Sequence, residues 1–185
     1  QGDVRLIDRF ICVSDFQLAV MRRAGLPAGK LTRLHNFVDT ATFRPCDAAD
    51  RGDYYLYYGR IERLKGVPTL IEAMRRTDGR VMIAGDGQWR PEMERRIAGD
   101  ARFDFPGFLS GAALRKAIAG AKAVIVPSEW YENCPMSVIE AKASGTPVIG
   151  ARIGGIPELV RDGIDGVLFE PGDADGLAAA VARLE

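Results

Sequence analysis

At 185 residues the chain has the length of one globular domain with at most a short appended piece, since domains run to roughly 100–200 residues. Apolar residues make up 47% and charged residues 27%, and 25 Lys and Arg balance 25 Asp and Glu, which argues against a nucleic-acid binder working by bulk charge. No apolar run approaches the roughly 20 residues of a spanning helix, and a single histidine, His35, excludes chemistry that needs two.

The first 45 residues suggest a strand at Asp8–Ser14, an amphipathic helix at Phe16–Ala24 and a third element at Lys30–Asn36. The polar stretch Arg44–Asp53 suits a linker. These features divide the chain into residues 1–45, the edge of another domain with its crossover, and residues 46–185, a self-contained sheet domain. From Tyr54 onward, short apolar runs recur at Tyr54–Tyr58, Val81–Ala84, Arg102–Phe105, Ala123–Val126, Pro147–Ile149 and Val167–Phe169. Their apolarity is continuous rather than alternating, as in parallel strands covered on both faces. Helical patterns stand between or after them at Pro68–Arg76, Gln88–Ala98, Gly111–Ala119, Pro135–Ser144 and Ala174–Leu184. Alternation of this kind predicts an α/β fold, a Rossmann-like three-layer parallel sheet. Cys12, Cys46 and Cys134 form no C-x-x-C pair, so neither a disulfide scaffold nor a zinc site is expected, and a reducing compartment fits.

In such a sheet the loops after the strands share the carboxyl rim, where ligands of open α/β folds bind. Neither G-x-G-x-x-G nor G-x-x-x-x-G-K-[ST] follows any strand, which disfavours a standard NAD fold and a P-loop. Three other features stand on the rim. In Gly59–Gly66, Arg60 and Lys65 are spaced to converge on a diphosphate, with Arg63 as a decoy; the bland reading is a solvated basic turn. In Glu132–Glu140, Pro135 suits the first position of a helix whose amides and dipole favour an anion. Glu140 then either accepts hydrogen bonds from ribose hydroxyls or is a surface carboxylate beside Lys142. Gly145 suits a left-handed helix cap, and Gly154-Gly155 permits close backbone approach, either to a ligand or within a turn. Trp130 and Tyr131 either pack under their loop, which is the expectation, or face a ligand, and His35 is expected to be structural.

In order along the chain, Y-Y-G-R-I-E-R-L-K-G-V, I-A-G-D-G, F-P-G-F-L, V-P-S-E-W-Y-E-N, V-I-E-A-K-A-S-G-T-P-V-I-G and G-G-I-P-E-L-V-R-D-G resemble the C-terminal half of the group 1 glycosyltransferases, family 4 of the retaining GT-B enzymes. Upstream, V-S-D-F and L-H-N-F-V-D-T-A-T-F-R-P resemble the segment where that family crosses between domains. The resemblance implies two Rossmann-like domains, the second binding a nucleotide diphosphate sugar and the first the acceptor. It implies that Arg60 and Lys65 bind the diphosphate, that Glu132 is the catalytic-site glutamate beside the donor sugar, and that Glu140 binds ribose. By the same resemblance the backbone of Asn133, Cys134, Pro135 and Met136 contacts sugar and phosphate, and Phe108 and Leu109 lie by the base. Cys134-Pro135 departs from the Phe-Gly often found there. No metal and no cofactor beyond the nucleotide sugar is implied, and no nucleic-acid partner.

The implied enzyme is a hexosyltransferase of polysaccharide or related biosynthesis. It would be cytoplasmic, with peripheral attachment to the inner face of the membrane as an open alternative. The opening Gln1 fits an excerpt of such a protein, and these 185 residues alone are expected to bind donor without transferring sugar. The competing readings are a nucleotide-sugar epimerase of the same architecture and a non-catalytic nucleotide-binding module.

Overall fold

A computed structural model describes residues 4–184, so the outermost residues of the two expected segments, 1–3 and 185, lie outside it. Six parallel strands form the main sheet: β3 (Tyr55–Arg60), β4 (Val81–Asp86), β5 (Phe103–Gly107), β6 (Ala123–Val126), β7 (Val148–Ala151) and β8 (Gly166–Phe169). Their spatial order is β5-β4-β3-β6-β7-β8. The order runs outward from β3 in one direction and resumes from β6 in the other, which is the doubly wound arrangement with its switch point between β3 and β6.

Alternate residues of each strand enter opposite layers. On one face Tyr55, Tyr57, Ile83, Ile125 and Ile149 meet α2 (Val67–Met74), α3 (Arg90–Ile97) and α7 (Ala174–Ala182) through Leu70, Met74, Met93, Leu177 and Val181. On the other, Leu56, Val124, Val126 and Val148 meet α4 (Gly111–Gly120), α5 (Met136–Ala143) and α6 (Ile156–Leu159) through Ile118, Val138, Ala141 and Ile156. Both faces are covered over the inner strands, which is why those read as unbroken apolar runs, whereas the edge strand β5 alternates, with Asp104 and Pro106 exposed. Each fully buried Leu, Ile or Met contributes about 1.5–3 kcal/mol.

The N-terminal residues form a separate two-stranded parallel sheet, β1 (Phe10–Cys12) against β2 (Leu31–Arg33), with α1 (Asp15–Arg23) between them. This unit touches the main sheet domain at a few defined points. The polar stretch after it is tethered rather than free: the Cys46 thiol donates to the Ala119 carbonyl at 3.0 Å, and Gly52 N–H to the Gly120 carbonyl at 2.7 Å. His35 Nδ1 lies 3.0 Å from the Val13 carbonyl, a local structural contact. Among the described residues, no helix is long and apolar enough to cross a membrane.

Two expectations fail locally. Pro135 stands before the helix rather than in it, with φ −65° and ψ 126°, so α5 opens at Met136. A proline's fixed φ suits either place, and only ψ separates them. Trp130 and Tyr131 are not packed under their loop; they are 57% and 62% exposed. Tyr131 instead stacks on Phe16 of α1, with 5.3 Å between ring centroids.

Candidate functional site

At the switch point the carboxyl ends of β3 and β6 diverge and leave a cleft of about 280 Å³. Its lining includes Arg60, Lys65, Ser128, Glu132, Met136 and Glu140. A second cleft, of about 410 Å³, adjoins it along the β3 end and shares Tyr58, Gly59 and Arg60 with it. Phe108, Leu109 and Leu114 give that second cleft an apolar wall, and Phe108 is 75% exposed. A charged cleft and a largely apolar one thus lie side by side at the end of β3.

Lys65 ends a short turn, Arg63–Lys65, closed by Gly66 in the left-handed conformation (φ 73°). A side chain at Gly66 would also strike the Pro127 carbonyl, so only glycine lets this turn lie against the loop after β6. The result brings Lys65 Nζ to 2.5 Å from Glu132 Oε1, with the two side chains 23% and 17% exposed. The Ser128 hydroxyl donates to the same carboxylate oxygen at 2.9 Å. Ser128 is buried, although in the sequence a serine after proline reads as turn chemistry. Lys65 has three N–H donors and gives one to Glu132, so two remain for an anion.

Arg60 behaves differently. Its guanidinium donates to Glu62 at 2.7 Å and is 67% exposed, a surface pair that contributes little. The Tyr57 hydroxyl donates to the Arg60 carbonyl at 2.6 Å and anchors the strand end. Burial raises the Tyr57 hydroxyl well above its ordinary pKa, so it stays a proton donor. Arg63 lines a separate depression with Glu62, Leu64, Gln88 and Trp89, away from the cleft, as expected of the decoy.

Glu140 lies on α5 and faces β3, not Lys142. The Tyr58 hydroxyl approaches Glu140 Oε2 at 2.9 Å and the Ser137 carbonyl at 3.0 Å, one proton serving two acceptors. Lys142 is occupied elsewhere, donating to the Leu159 carbonyl at 2.5 Å and to Asp165 at 3.0 Å. The surface-carboxylate reading of Glu140 therefore fails. Burial raises the Glu140 carboxyl above the usual carboxylate range, and the Tyr58 bond opposes that only in part. Burial also raises the Tyr58 hydroxyl, and the neighbouring Glu140 charge adds to the effect.

The loop between Glu132 and Pro135 differs from expectation. Pro135, Met136 and Ser137 line the cleft, but Asn133 and Cys134 do not. Their carbonyls are engaged behind the loop. The Asn133 oxygen lies against Gly155, where an added Cβ would come within 2.0 Å, and the Cys134 oxygen accepts from Asn36 Nδ2 at 2.9 Å. Gly155 N–H also donates to the Glu132 carbonyl at 2.7 Å. The Gly154-Gly155 pair thus serves close approach of chain to chain. Met136 and Ser137, which do line the cleft, stand in the first turn of α5, whose amides have no acceptor within the helix.

The sequence and the fold have counterparts among known proteins. The family described as glycosyl transferases group 1 matches residues 52–185. Sulfoquinovosyl transferase SQD2 of Arabidopsis thaliana is 32% identical over 177 residues, covering 87% of this chain and 34% of that protein. Alpha-D-kanosaminyltransferase of Streptomyces kanamyceticus is 31% identical over 182 residues, covering 88% of this chain and 47% of that one. The chain therefore spans between about a third and a half of these relatives. In fold it matches HepE of Anabaena, solved in complex with UDP, with a TM-score of 0.88 at 23% identity, covering 97% of this chain and 54% of that one. Family match and fold agree, and this chain belongs to the group 1 glycosyltransferases, with the Rossmann-like fold of their C-terminal domain.

Proposed function

We propose that this chain is the donor-binding half of a retaining glycosyltransferase that moves a sugar from a nucleoside diphosphate sugar to an acceptor. One observation carries the reading: the charged and apolar clefts adjoin and share Tyr58, Gly59 and Arg60. A nucleotide sugar has the same order of parts. The base lies against Phe108 and Leu109, the ribose hydroxyls donate to Glu140, and the diphosphate meets Arg60, Lys65 and the Met136 and Ser137 amides. Leaving-group departure puts negative charge on the phosphate oxygens. Fixed cations and a helix N-terminus stabilise that charge without a metal. Glu132, held by Lys65 and Ser128, orients the sugar at the same place.

Residues 1–45 belong in this reading to the crossover from an acceptor-binding domain, and residues 46–185 to the donor domain. Sugar transfer belongs to the protein that carries both. The cytoplasmic placement is part of the same proposal, and the free thiols of Cys12, Cys46 and Cys134 favour it. The UDP complex of HepE supports a nucleotide ligand for the fold. Thermal shift with UDP, GDP and ADP tests the reading, because a ligand of the native state raises its stability by mass action, about 2.7 kcal/mol at a hundred times Kd. At least one nucleotide should raise the midpoint. No shift with any of the three at millimolar concentration removes the donor reading.

Glu140→Gln separates binding from stability. The amide lacks the charge that strengthens bonds to ribose hydroxyls, so ribonucleotide binding weakens while a 2′,3′-dideoxy analogue binds as before. Stability moves the other way. A carboxyl whose folded pKa is raised costs the native state stability as pH climbs through that pKa. The variant has no such cost, so its Tm gain over the parent should be larger at pH 7 than at pH 4. Calorimetry with both ligands and melts at both pH values read this; equal losses for the two ligands would assign Glu140 to the fold.

A further inference from the structure

The residues ahead of the main sheet domain touch the loop that carries Glu132 at points the donor reading does not use. Phe16 stacks on Tyr131, one residue before Glu132. Asn36 Nδ2 donates to the carbonyl of Cys134, two residues after it, across 98 positions of sequence. The Glu158 carboxylate accepts the backbone N–H groups of Asp15 and Phe16 at 2.7 and 2.5 Å. Ser14 Oγ accepts the Gln17 N–H at 3.1 Å. The first three amides of α1 are thereby satisfied, two by a residue outside the helix. A carboxylate at that end is favoured by the dipole and by charge-assisted bonds.

Glu158 lies on α6, whose N-cap is Gly155. Gly155 in turn holds the Glu132 carbonyl through its N–H. A short chain of contacts therefore runs from the start of α1 through Glu158 and Gly155 to Glu132, while Asn36 fixes the far side of the same loop. Glu132 stands between two held points and points its carboxylate at Lys65.

We propose that Asn36 and Glu158 are positioning residues, which brace the Tyr131–Cys134 loop from the N-terminal segment and so set where the Glu132 carboxylate stands. The bracing is a property of the chain by itself; only its consequence for the sugar rests on the donor reading.

The test uses the 185-residue chain and its Asn36→Ala, Glu158→Ala and Glu158→Gln variants. Hydrogen exchange across residues 131–136 should speed up about three- to tenfold in both alanine variants, the scale of one lost hydrogen bond. Exchange in β3 and β6 should stay as in the parent. Glu158→Gln keeps one of the two acceptor oxygens and turns an NH2 toward the other amide, so its protection should fall between the parent and Glu158→Ala. Calorimetry with UDP and UDP-glucose supplies a readout that a purely structural role would not move. The preference for UDP-glucose over UDP should fall about threefold or more, beyond any change in UDP affinity itself. Unchanged loop exchange in both alanine variants overturns the bracing. Faster exchange throughout the sheet with equal loss of both ligands also overturns it, because the residues then serve only the fold. If the parent binds neither ligand, the uridine-donor reading is what fails, and the exchange result still decides the bracing.

Discussion

Lys65→Ala is expected to weaken nucleoside diphosphate binding by about ten- to hundredfold, more than Arg60→Ala, with Arg63→Ala close to neutral. A hydrogen bond to a charged group contributes roughly 1.5–3 kcal/mol, which sets that scale. The ranking comes from burial. Lys65 is 23% exposed and held by a carboxylate that is 17% exposed, so its charge is screened less than that of Arg60, which is 67% exposed. Arg60 must also leave Glu62, though a surface pair of that kind opposes displacement only weakly. Removal of Lys65 has a second consequence, because Glu132 is left with Ser128 alone. An unpaired, mostly buried carboxylate destabilises the fold, so Tm should fall as well. Lys65→Ala combined with Glu132→Gln should recover the Tm but not the affinity, which separates the two losses. Calorimetry with the nucleotide that gives the largest thermal shift is the measurement. An Arg63→Ala loss equal to that of Lys65→Ala would mean that the wrong cation has been placed in the cleft.

The sheet was readable because its physics is local. A strand covered on both faces must be apolar at consecutive positions, and each run ends where glycine or proline lets the chain leave the sheet. Arg60 and Lys65 stand out because charges just after a buried strand lie on the rim; Glu140 stands inside a helix whose start favours an anion, and the role of Glu132 comes from the family resemblance. What the sequence hides is pairing. Lys65 and Glu132 are 67 residues apart, and nothing in either segment announces the other. Tyr58 and Ser128 carry no signal for a related reason: a tyrosine in an apolar strand reads as core, and a serine after a proline reads as a turn. The choice between the two roles of Glu140 also needed coordinates, since Lys142 is adjacent in sequence but bonded to Leu159 and Asp165. Trp130 and Tyr131 misled because aromatic residues mostly pack inward, whereas Tyr131 found its partner on α1. The glycines were legible as glycines but not by purpose.

That purpose yields the second large effect: Gly155→Ala should cost both stability and nucleotide binding. Gly155 has φ −90° and ψ 1°, a backbone any residue can adopt, so the substitution adds no conformational strain. The difficulty is space. The new methyl would lie 2.0 Å from the Asn133 carbonyl oxygen and 3.1 Å from Ser14 Cβ. Neither obstacle is the free end of a flexible side chain, and the next residue, Ile156, is fully buried. The loop itself must therefore move, and it is the loop that carries Glu132 and leads into α5. Overpacking of this kind costs about 1–3 kcal/mol, a Tm loss of several degrees for a chain of this size. Because the displaced backbone borders the cleft, affinity for the bound nucleotide should fall about tenfold or more. Gly163→Ala is the matched control. It also strains the fold, at φ 76°, but a methyl there would meet nothing closer than Arg183 at 3.7 Å. That variant should lose Tm and keep its affinity. If Gly155→Ala melts early yet binds nucleotide as the parent does, the loop behind Gly155 is not what shapes the site, because its displacement would then leave the cleft intact.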